Sequence, residues 1–249
     1  MKKIGIVGGV AWPSTVDYYS GICRKSEQWH LARQLPGIPS TPEMSIESLD
    51  LSKAFAWLGT DGDEDSWSQF DNYHRAALQR LQASGVDFAL IASNTPHHRF
   101  ESIVRGISIP VIGIFDEAAK ESARIGATGV LILGTALTMS SAVFRDKFAR
   151  YGIAAAGPGG EAARSMTAAL IQDLQQGKLD GAGRRVDEIA RISFADRFKA
   201  KPLVCLACTE LPLAFPEHKM LPTFECGGIV YLNTTAIHID AAFDFAVDR

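Results

Sequence analysis

The sequence has little cysteine, no clustered positive charge and no long apolar run, and each shortage removes a class of function. Four cysteines, Cys23, Cys205, Cys208 and Cys226, in 249 residues are too few for a disulfide framework, so a reduced, cytoplasmic setting is the expectation. The 25 Lys and Arg against 28 Asp and Glu leave a formal charge of −3 without a basic cluster, which argues against a nucleic-acid partner. The apolar stretches fall well short of a membrane span. The one after Met1-Lys2-Lys3 is cut by Gly8-Gly9 too early for a signal peptide and reads as a first strand. Low-complexity segments are absent. With 47% hydrophobic and 21% charged residues, the chain suits a globular protein with a substantial core, in one large domain or two ordinary ones.

Several familiar motifs are also missing. Gly5-x-x-Gly8-Gly9 is not G-x-G-x-x-G, and no acidic residue ends a second strand about 20 residues on. It reads as a tight strand-to-helix turn whose amides can still meet an anion. Ser93 lacks the G-x-S-x-G surroundings of a hydrolase nucleophile; His97 should lie one helical turn away and need not face it, which leaves a Ser–His–Asp hydrolase as a minor alternative. Asp61, Asp63 and Asp65 start like a calcium loop, but Ser66 stands where glycine is needed and Asn72 where glutamate is, so a solvated acidic loop is expected. His97-His98 has no partner at ligand spacing, and no metal site is expected. His238, in an apolar helix, reads as a core histidine with a hydrogen-bond partner.

What the sequence does have is a pair of similar strand ends. One is Phe88-Ala89-Leu90-Ile91-Ala92-Ser93-Asn94-Thr95-Pro96-His97, the other Leu203-Val204-Cys205-Leu206-Ala207-Cys208-Thr209-Glu210-Leu211-Pro212. Each apolar run reads as a strand buried on both faces, and residues just past it sit where open α/β folds place ligands. Around them, the pattern predicts a strand over 3–7, a glycine turn and a helix capped by Ser14 or Thr15. A proline-rich loop over 34–45, a helix over 66–83 stopped by Gly85, and the strand to Ala92 follow. A short strand over 111–114 and a helix over 116–124 complete this half. The cycle then restarts with Gly129 to Thr135, a helix over 140–151, a helical zone from Glu161 to Phe198 broken near Gly177 and Gly181-Ala182-Gly183, and the strand to Cys208. Gly8 precedes Ser93 by 85 residues and Gly134 precedes Cys208 by 74. Two related α/β halves with a site between them follow. The expected first domain is 1–115 plus 224–249, its apolar tail helix over 235–247 packing back, and the second is 116–223.

The chemistry concentrates at the second strand end. Thr209-Glu210 could open a helix there, and a thiol at a helix N-terminus has its pKa lowered, so Cys208 is the candidate reactive thiol. Cys205, mid-strand, should point elsewhere as an inert core thiol. Asn94, Thr95, Thr135, Thr138 and Thr209 would gather at strand ends, with Ser14 and Thr15 as further candidates. Neutral hydroxyls, amides and backbone N–H groups are what a carboxylate ligand needs.

With these residues the chain resembles the aspartate/glutamate racemase family of cofactor-independent amino-acid racemases. The resemblance rests on Ile4-Gly5-Ile6-Val7-Gly8-Gly9 with Trp12-Pro13-Ser14-Thr15-Val16-Asp17-Tyr18-Tyr19, on Ser93-Asn94-Thr95-Pro96-His97, and on Leu133-Gly134-Thr135-Ala136-Leu137-Thr138-Met139. Ala207-Cys208-Thr209-Glu210-Leu211-Pro212 and Asn233-Thr234-Thr235-Ala236-Ile237-His238 complete it. It implies two flavodoxin-like three-layer α/β domains related by a pseudo-two-fold axis, with the active site in the cleft between them, no cofactor, and a homodimer. It also implies a thiol from each domain on opposite faces of the substrate Cα, one removing the α-proton and the other returning it. Asn94-Thr95 and Thr209 resemble groups that hold the α-carboxylate. Lys178 resembles a lysine that binds the side-chain carboxylate in aspartate-specific members; its plainer reading is a solvated turn lysine. The chain departs from the pattern in three places. Ser93 stands where the first cysteine is usual, and an alcohol is no base near neutral pH without a partner. Residues 37–50 do not match the expected substrate loop, and Asn233 replaces the usual Asp. Single-cysteine decarboxylases, isomerases of unsaturated diacids and a carboxylate-binding module on the same fold stay open as alternatives.

Overall fold

The computed structural model describes residues 1–197 and 203–247. The expected helix end at Phe198 and the last two residues of the tail lie outside the described residues. The chain divides into two compact units, Met1–Gly113 with His238–Arg249, and Ile114–Ile237.

The first unit runs β1 (Ile4–Gly8), α1 (Trp12–Ala32), β2 (Met44–Ser48), α2 (Leu51–Ala56), α3 (Ser68–Ala83), β3 (Phe88–Ile91), α4 (Phe100–Ile103) and β4 (Val111–Ile112). Its sheet has the order β2-β1-β3-β4, parallel throughout, with Ile4 beside Phe88 and Val7 beside Ile91. Strands β1 and β3 are buried along their whole length, as continuous apolar runs in a parallel sheet should be. The start of α1 differs from expectation. The helix begins at Trp12, two residues before Ser14, and neither Ser14 nor Thr15 caps it. Pro13 in the first turn has its φ already set for a helix, and Ala11 leads in at φ 71°, a region L-residues seldom enter. Strand β2 and helix α2 fall inside or just after what reads as loop. Met44-Ser45-Ile46-Glu47-Ser48 lies on the sheet edge with no fully buried residue, so it lacks the apolar signature of its neighbours.

The second unit runs α5 (Ile114–Arg124), β5 (Gly129–Gly134), α6 (Ala136–Ser140), α7 (Ala142–Ala149), β6 (Ala154–Ala156), α8 (Glu161–Gln175), α9 (Ala182–Arg197), β7 (Leu203–Ala207), β8 (Thr223–Cys226), β9 (Ile229–Asn233) and α10 (Thr234–Ala246), the last crossing into the first unit at His238. The sheet order is β6-β5-β7-β9-β8, with only β8 antiparallel. Its first four strands repeat the order of the first sheet, so β5 corresponds to β1, β6 to β2, β7 to β3 and β9 to β4. This is the 2-1-3-4 start of a flavodoxin-like sheet, built twice. One core of this unit is Leu131, Leu133, Leu170, Val186, Leu206 and their neighbours; another is Phe115, Phe144, Phe148, Ile132 and Cys205.

The expected assignment of 224–249 to the first half is corrected in part. Strands β8 and β9 complete the second sheet, because β9 satisfies the open edge of β7 and buries Ile229, Tyr231 and Leu232. Only from His238 does the chain return to the first unit. There Ala246 accepts from the Lys2 amide at 2.8 Å, and the rings of Phe245 and Phe88 meet at 4.6 Å. Among the described residues no helix is long and apolar enough to cross a membrane, and no group of three or more His, Cys, Asp or Glu could hold a metal ion.

Candidate active site

In the first unit the β1 and β3 ends lie side by side, and the chain beyond them is tightly fixed. Ala92 donates to Val7 O at 2.9 Å, and Leu49 donates to Gly8 O at 2.9 Å. Gly9 turns at φ 84°, where a side chain would meet Leu49 O at 2.1 Å; its N–H donates to Thr15 Oγ1 at 2.9 Å. Thr15 therefore holds the glycine turn and retains one hydroxyl donor, while Ser14 is buried in the first turn of α1.

Beyond β3, Ser93 and Asn94 are both buried. No described side chain hydrogen-bonds the Ser93 hydroxyl. His97 Nδ1 instead donates to the backbone carbonyl of Ser93 at 2.8 Å, since a carbonyl only accepts. Neither ring nitrogen of His97 hydrogen-bonds the Ser93 hydroxyl, so the Ser–His pair that the hydrolase alternative needs is not formed. Asn94 is 4% exposed, and neither its Oδ1 nor its Nδ2 has a hydrogen-bond partner among the described residues. A buried amide with all its capacity open is rare, and it is the group that a carboxylate could pair. Thr95, half-buried, opens the 3-10 turn Thr95–Arg99.

His238 behaves as a core histidine. Its Nδ1 accepts from the Tyr18 hydroxyl at 2.7 Å and its Nε2 donates to Ile112 O at 3.0 Å. Burial lowers its pKa to about 4. The acidic residues Asp61, Asp63 and Asp65 are exposed.

In the second unit, β5 and β7 run in register from Val130–Leu203 to Gly134–Ala207. Gly134 leaves no room for a side chain, since a Cβ would sit 2.7 Å from Ala207 O. Thr135 caps α6, and its Oγ1 lies 3.3 Å from the Thr138 amide and 3.0 Å from the Thr138 hydroxyl. The two threonines thus share one hydroxyl contact at the strand end.

Cys208 follows Ala207 and is 6% exposed. Its Sγ donates to Glu210 Oε2 at 3.0 Å, and the Thr209 hydroxyl donates to the same oxygen, also at 3.0 Å. Burial, then the Glu210 charge and its hydrogen bond, push the Cys208 thiol well above its usual value; the Glu210 and Thr209 amides pull weakly the other way. This corrects the expected lowering. No α-helix opens after Cys208: the next element is a four-residue 3-10 turn, Leu211–Ala214, with Pro212 in it. So short a segment offers little dipole, and it is outweighed by desolvation and a carboxylate. Cys205, fully buried on the other core, is an inert thiol whose pKa is raised by burial alone.

Lys178 is set in the turn after α8, 63% exposed at its side chain, with Nζ 3.1 Å from Asp173 Oδ1; Arg185 holds the other oxygen of Asp173 at 2.8 Å.

Two residues carry more than their motifs revealed. Glu210 stands inside the quoted run after Cys208, but its rotamer toward the sulfur is a matter of three dimensions. Thr235, in the first turn of α10, is 6% exposed with a hydroxyl that has no partner among the described residues. Beside it, Asn233 explains its own departure from the usual Asp. Its Oδ1 accepts from the Thr235 and Ala236 amides at 3.1 and 3.2 Å, while its Nδ2 donates to Lys219 O at 2.7 Å. A carboxylate could not make the last bond.

The chain is similar to known proteins in sequence and in fold. Over 66 residues the chain is 35% identical to the broad specificity amino-acid racemase RacX of Bacillus subtilis, a stretch covering 26% of this chain and 29% of that one. The match therefore spans less than a third of that relative. An aspartate racemase homologue from Pyrococcus horikoshii is similar over 99% of this chain and 100% of its own, at 25% identity and a TM-score of 0.74. The aspartate racemase of Picrophilus torridus, at 19% identity, shares the fold with a TM-score of 0.72 over 99% of this chain and 95% of its own. The sequence profile described as Asp/Glu/Hydantoin racemase matches residues 7–242. Since that match runs from β1 into α10 and takes in both strand ends, the chain belongs to the Asp/Glu/hydantoin racemase family.

Proposed function

We propose that this protein moves the α-proton of a small acidic amino acid, aspartate or glutamate, without a cofactor, with Cys208 as the acid/base and Ser93 as the residue on the opposite face. The observation that carries this reading is the pairing of the buried Cys208 thiol with a carboxylate 3.0 Å away, which makes it a group able to gain and lose a proton. In the reaction the thiolate takes the proton from Cα. The electron pair of the broken Cα–H bond passes into the α-carboxylate, whose growing charge needs donors held ready for it. The open amide of Asn94 and the hydroxyls of Thr95, Ser14, Thr15, Thr135, Thr138 and Thr209 are the proposed donors, with Lys178, once released from Asp173, toward the side-chain carboxylate. Ser93, without a side-chain partner, has no means of removing a proton, so α-proton abstraction is confined to the enantiomer that presents its hydrogen to Cys208.

Exchange of the α-proton in heavy water, with L- and D-aspartate and L- and D-glutamate supplied separately, tests this. One enantiomer should exchange much faster, and Cys208→Ala should abolish the exchange. Equal exchange from both enantiomers, or activity that survives Cys208→Ala, refutes it.

One observation favours a second reading. Burial and Glu210 keep Cys208 protonated at rest, which suits a thiol whose task is to protonate an enediolate left by departing carbon dioxide. Carbon dioxide release from a substituted malonate, with no exchange from any of the four amino acids, would select that decarboxylase.

A further inference from the structure

We infer that Glu210 is the proton acceptor of Cys208, a positioning residue that generates the thiolate inside the buried site. Three features of the second unit support this. The Sγ–Oε2 distance is 3.0 Å, and the same Oε2 accepts from the Thr209 hydroxyl at 3.0 Å, which fixes the carboxylate toward the sulfur. Cys208 is 6% exposed, so bulk hydroxide has poor access to its proton. The backbone amides of Thr209 and Glu210 face the sulfur and can receive the negative charge that appears there, as oriented N–H groups do for an oxyanion. The cluster that Cys208 joins is otherwise almost wholly apolar. Of its remaining titratable members, Tyr231 donates its hydroxyl to Asp187 and Cys226 lies at the border.

The step balances without any further reactant. The Sγ–H bond breaks, an Oε2–H bond forms, and the electron pair stays on sulfur. Under the proposed function the thiolate then takes the Cα proton of the substrate, and reversal returns both protons. The first transfer belongs to the protein alone, and only the second rests on that reading.

The test compares wild type with Glu210→Gln and Glu210→Asp. One readout is the pH profile of iodoacetamide alkylation at Cys208, followed on its own peptide by mass spectrometry; the other is α-proton exchange. Glu210→Gln removes the neighbouring negative charge, so Cys208 should ionise at lower pH and alkylate faster near neutrality. Its exchange should nevertheless slow by about 10²- to 10⁴-fold, the usual weight of a proton-transfer group. Glu210→Asp should restore part of the exchange. A residue with a purely electrostatic influence predicts the opposite for exchange, because more thiolate would mean a faster reaction. An unchanged alkylation profile in Glu210→Gln, or exchange at or above the wild-type rate, overturns the assignment. A wild type that exchanges no amino acid, but whose Cys208 profile still shifts in Glu210→Gln, supports the contact between the two side chains and refutes the racemase reading instead.

Discussion

Replacing Asn94 by leucine should make the unliganded protein more stable and the liganded protein less able to form. Asn94 is 4% exposed and both amide atoms lack a partner among the described residues. Each buried polar group left unpaired costs about 1–3 kcal/mol. Leucine has nearly the same size, so no cavity opens. The backbone at φ −75° and ψ −42° suits any L-residue, and the side chain makes no capping bond that would be lost. The change should therefore stabilise by about 1–3 kcal/mol, counting one of the two groups as fully unpaired. That corresponds to a rise in Tm of roughly 2–12 °C for chains of this size range. Binding should move the other way. Hydrogen bonds from the amide to a charged carboxylate are worth about 1.5–3 kcal/mol, roughly 10- to 150-fold in Kd. Thermal unfolding with and without aspartate, glutamate or malonate measures both effects. Wild type should gain Tm with the effective ligand, and Asn94→Leu should start higher and gain little. A variant that unfolds earlier without ligand, or that keeps the full ligand-induced shift, would show that Asn94 is satisfied in place and does not hold the carboxylate.

Two further outcomes follow from buried charge. His74 and His238 both have folded pKa values of about 4, lowered first by burial, below the unfolded value of about 6.5. The unfolded chain thus binds their protons first as pH falls. The stability that their neutral forms supply is complete above about pH 6.5 and declines toward pH 4, at about 1.4 kcal/mol per pH unit for each ring. Urea unfolding at pH 7, 6 and 5 should show that slope, and His238→Gln should remove its share; a flat profile over this range would count against the burial of both rings. In the second case, Arg99 lies between Asp71 at 2.9 Å and Glu64 at 2.7 Å, with side-chain exposures of 11%, 8% and 76% respectively. Asp71→Ala should cost about 3 kcal/mol, because it strips a buried partner, and Glu64→Ala far less, because its carboxylate is in water. Equal losses in the two variants would be incompatible with that geometry.

The duplication of the two halves was legible because the strands that matter are apolar along their whole length. Ile4–Gly8, Phe88–Ile91, Gly129–Gly134 and Leu203–Ala207 are the central pairs of the two sheets, and a strand covered on both faces announces itself in any reading frame. The edges did not. Met44–Ser48 alternates weakly beside a proline-rich stretch, and nothing in Ile229–Asn233 says which of two sheets will accept it. That choice is made by the open edge of β7, a property of the assembled second unit. The boundary between the units therefore falls at His238, fourteen residues later than the composition of the tail suggests.

The thiol was legible by position and misread in sign for the same physical reason. That a small nucleophile follows β7 is written in Leu203 to Cys208. Its acidity depends on two things that sequence does not fix: whether the following turn becomes a helix, and where the side chain two residues on is aimed. The turn runs to only four residues of 3-10 helix, so the expected dipole is weak, and Glu210 folds back on the sulfur, so the nearest charge is negative. Both changes push toward a thiol at rest. A protonated thiol is no base, yet one paired with a fixed carboxylate needs only a proton shift across 3.0 Å to become one. At the matching place in the first unit, no described side chain offers the Ser93 hydroxyl such a partner, and His97 is turned to its carbonyl. What separates the two strand ends chemically is thus less the sulfur itself than the acceptor set beside it. A cysteine placed at Ser93 would gain a softer atom and still lack a group to receive its proton.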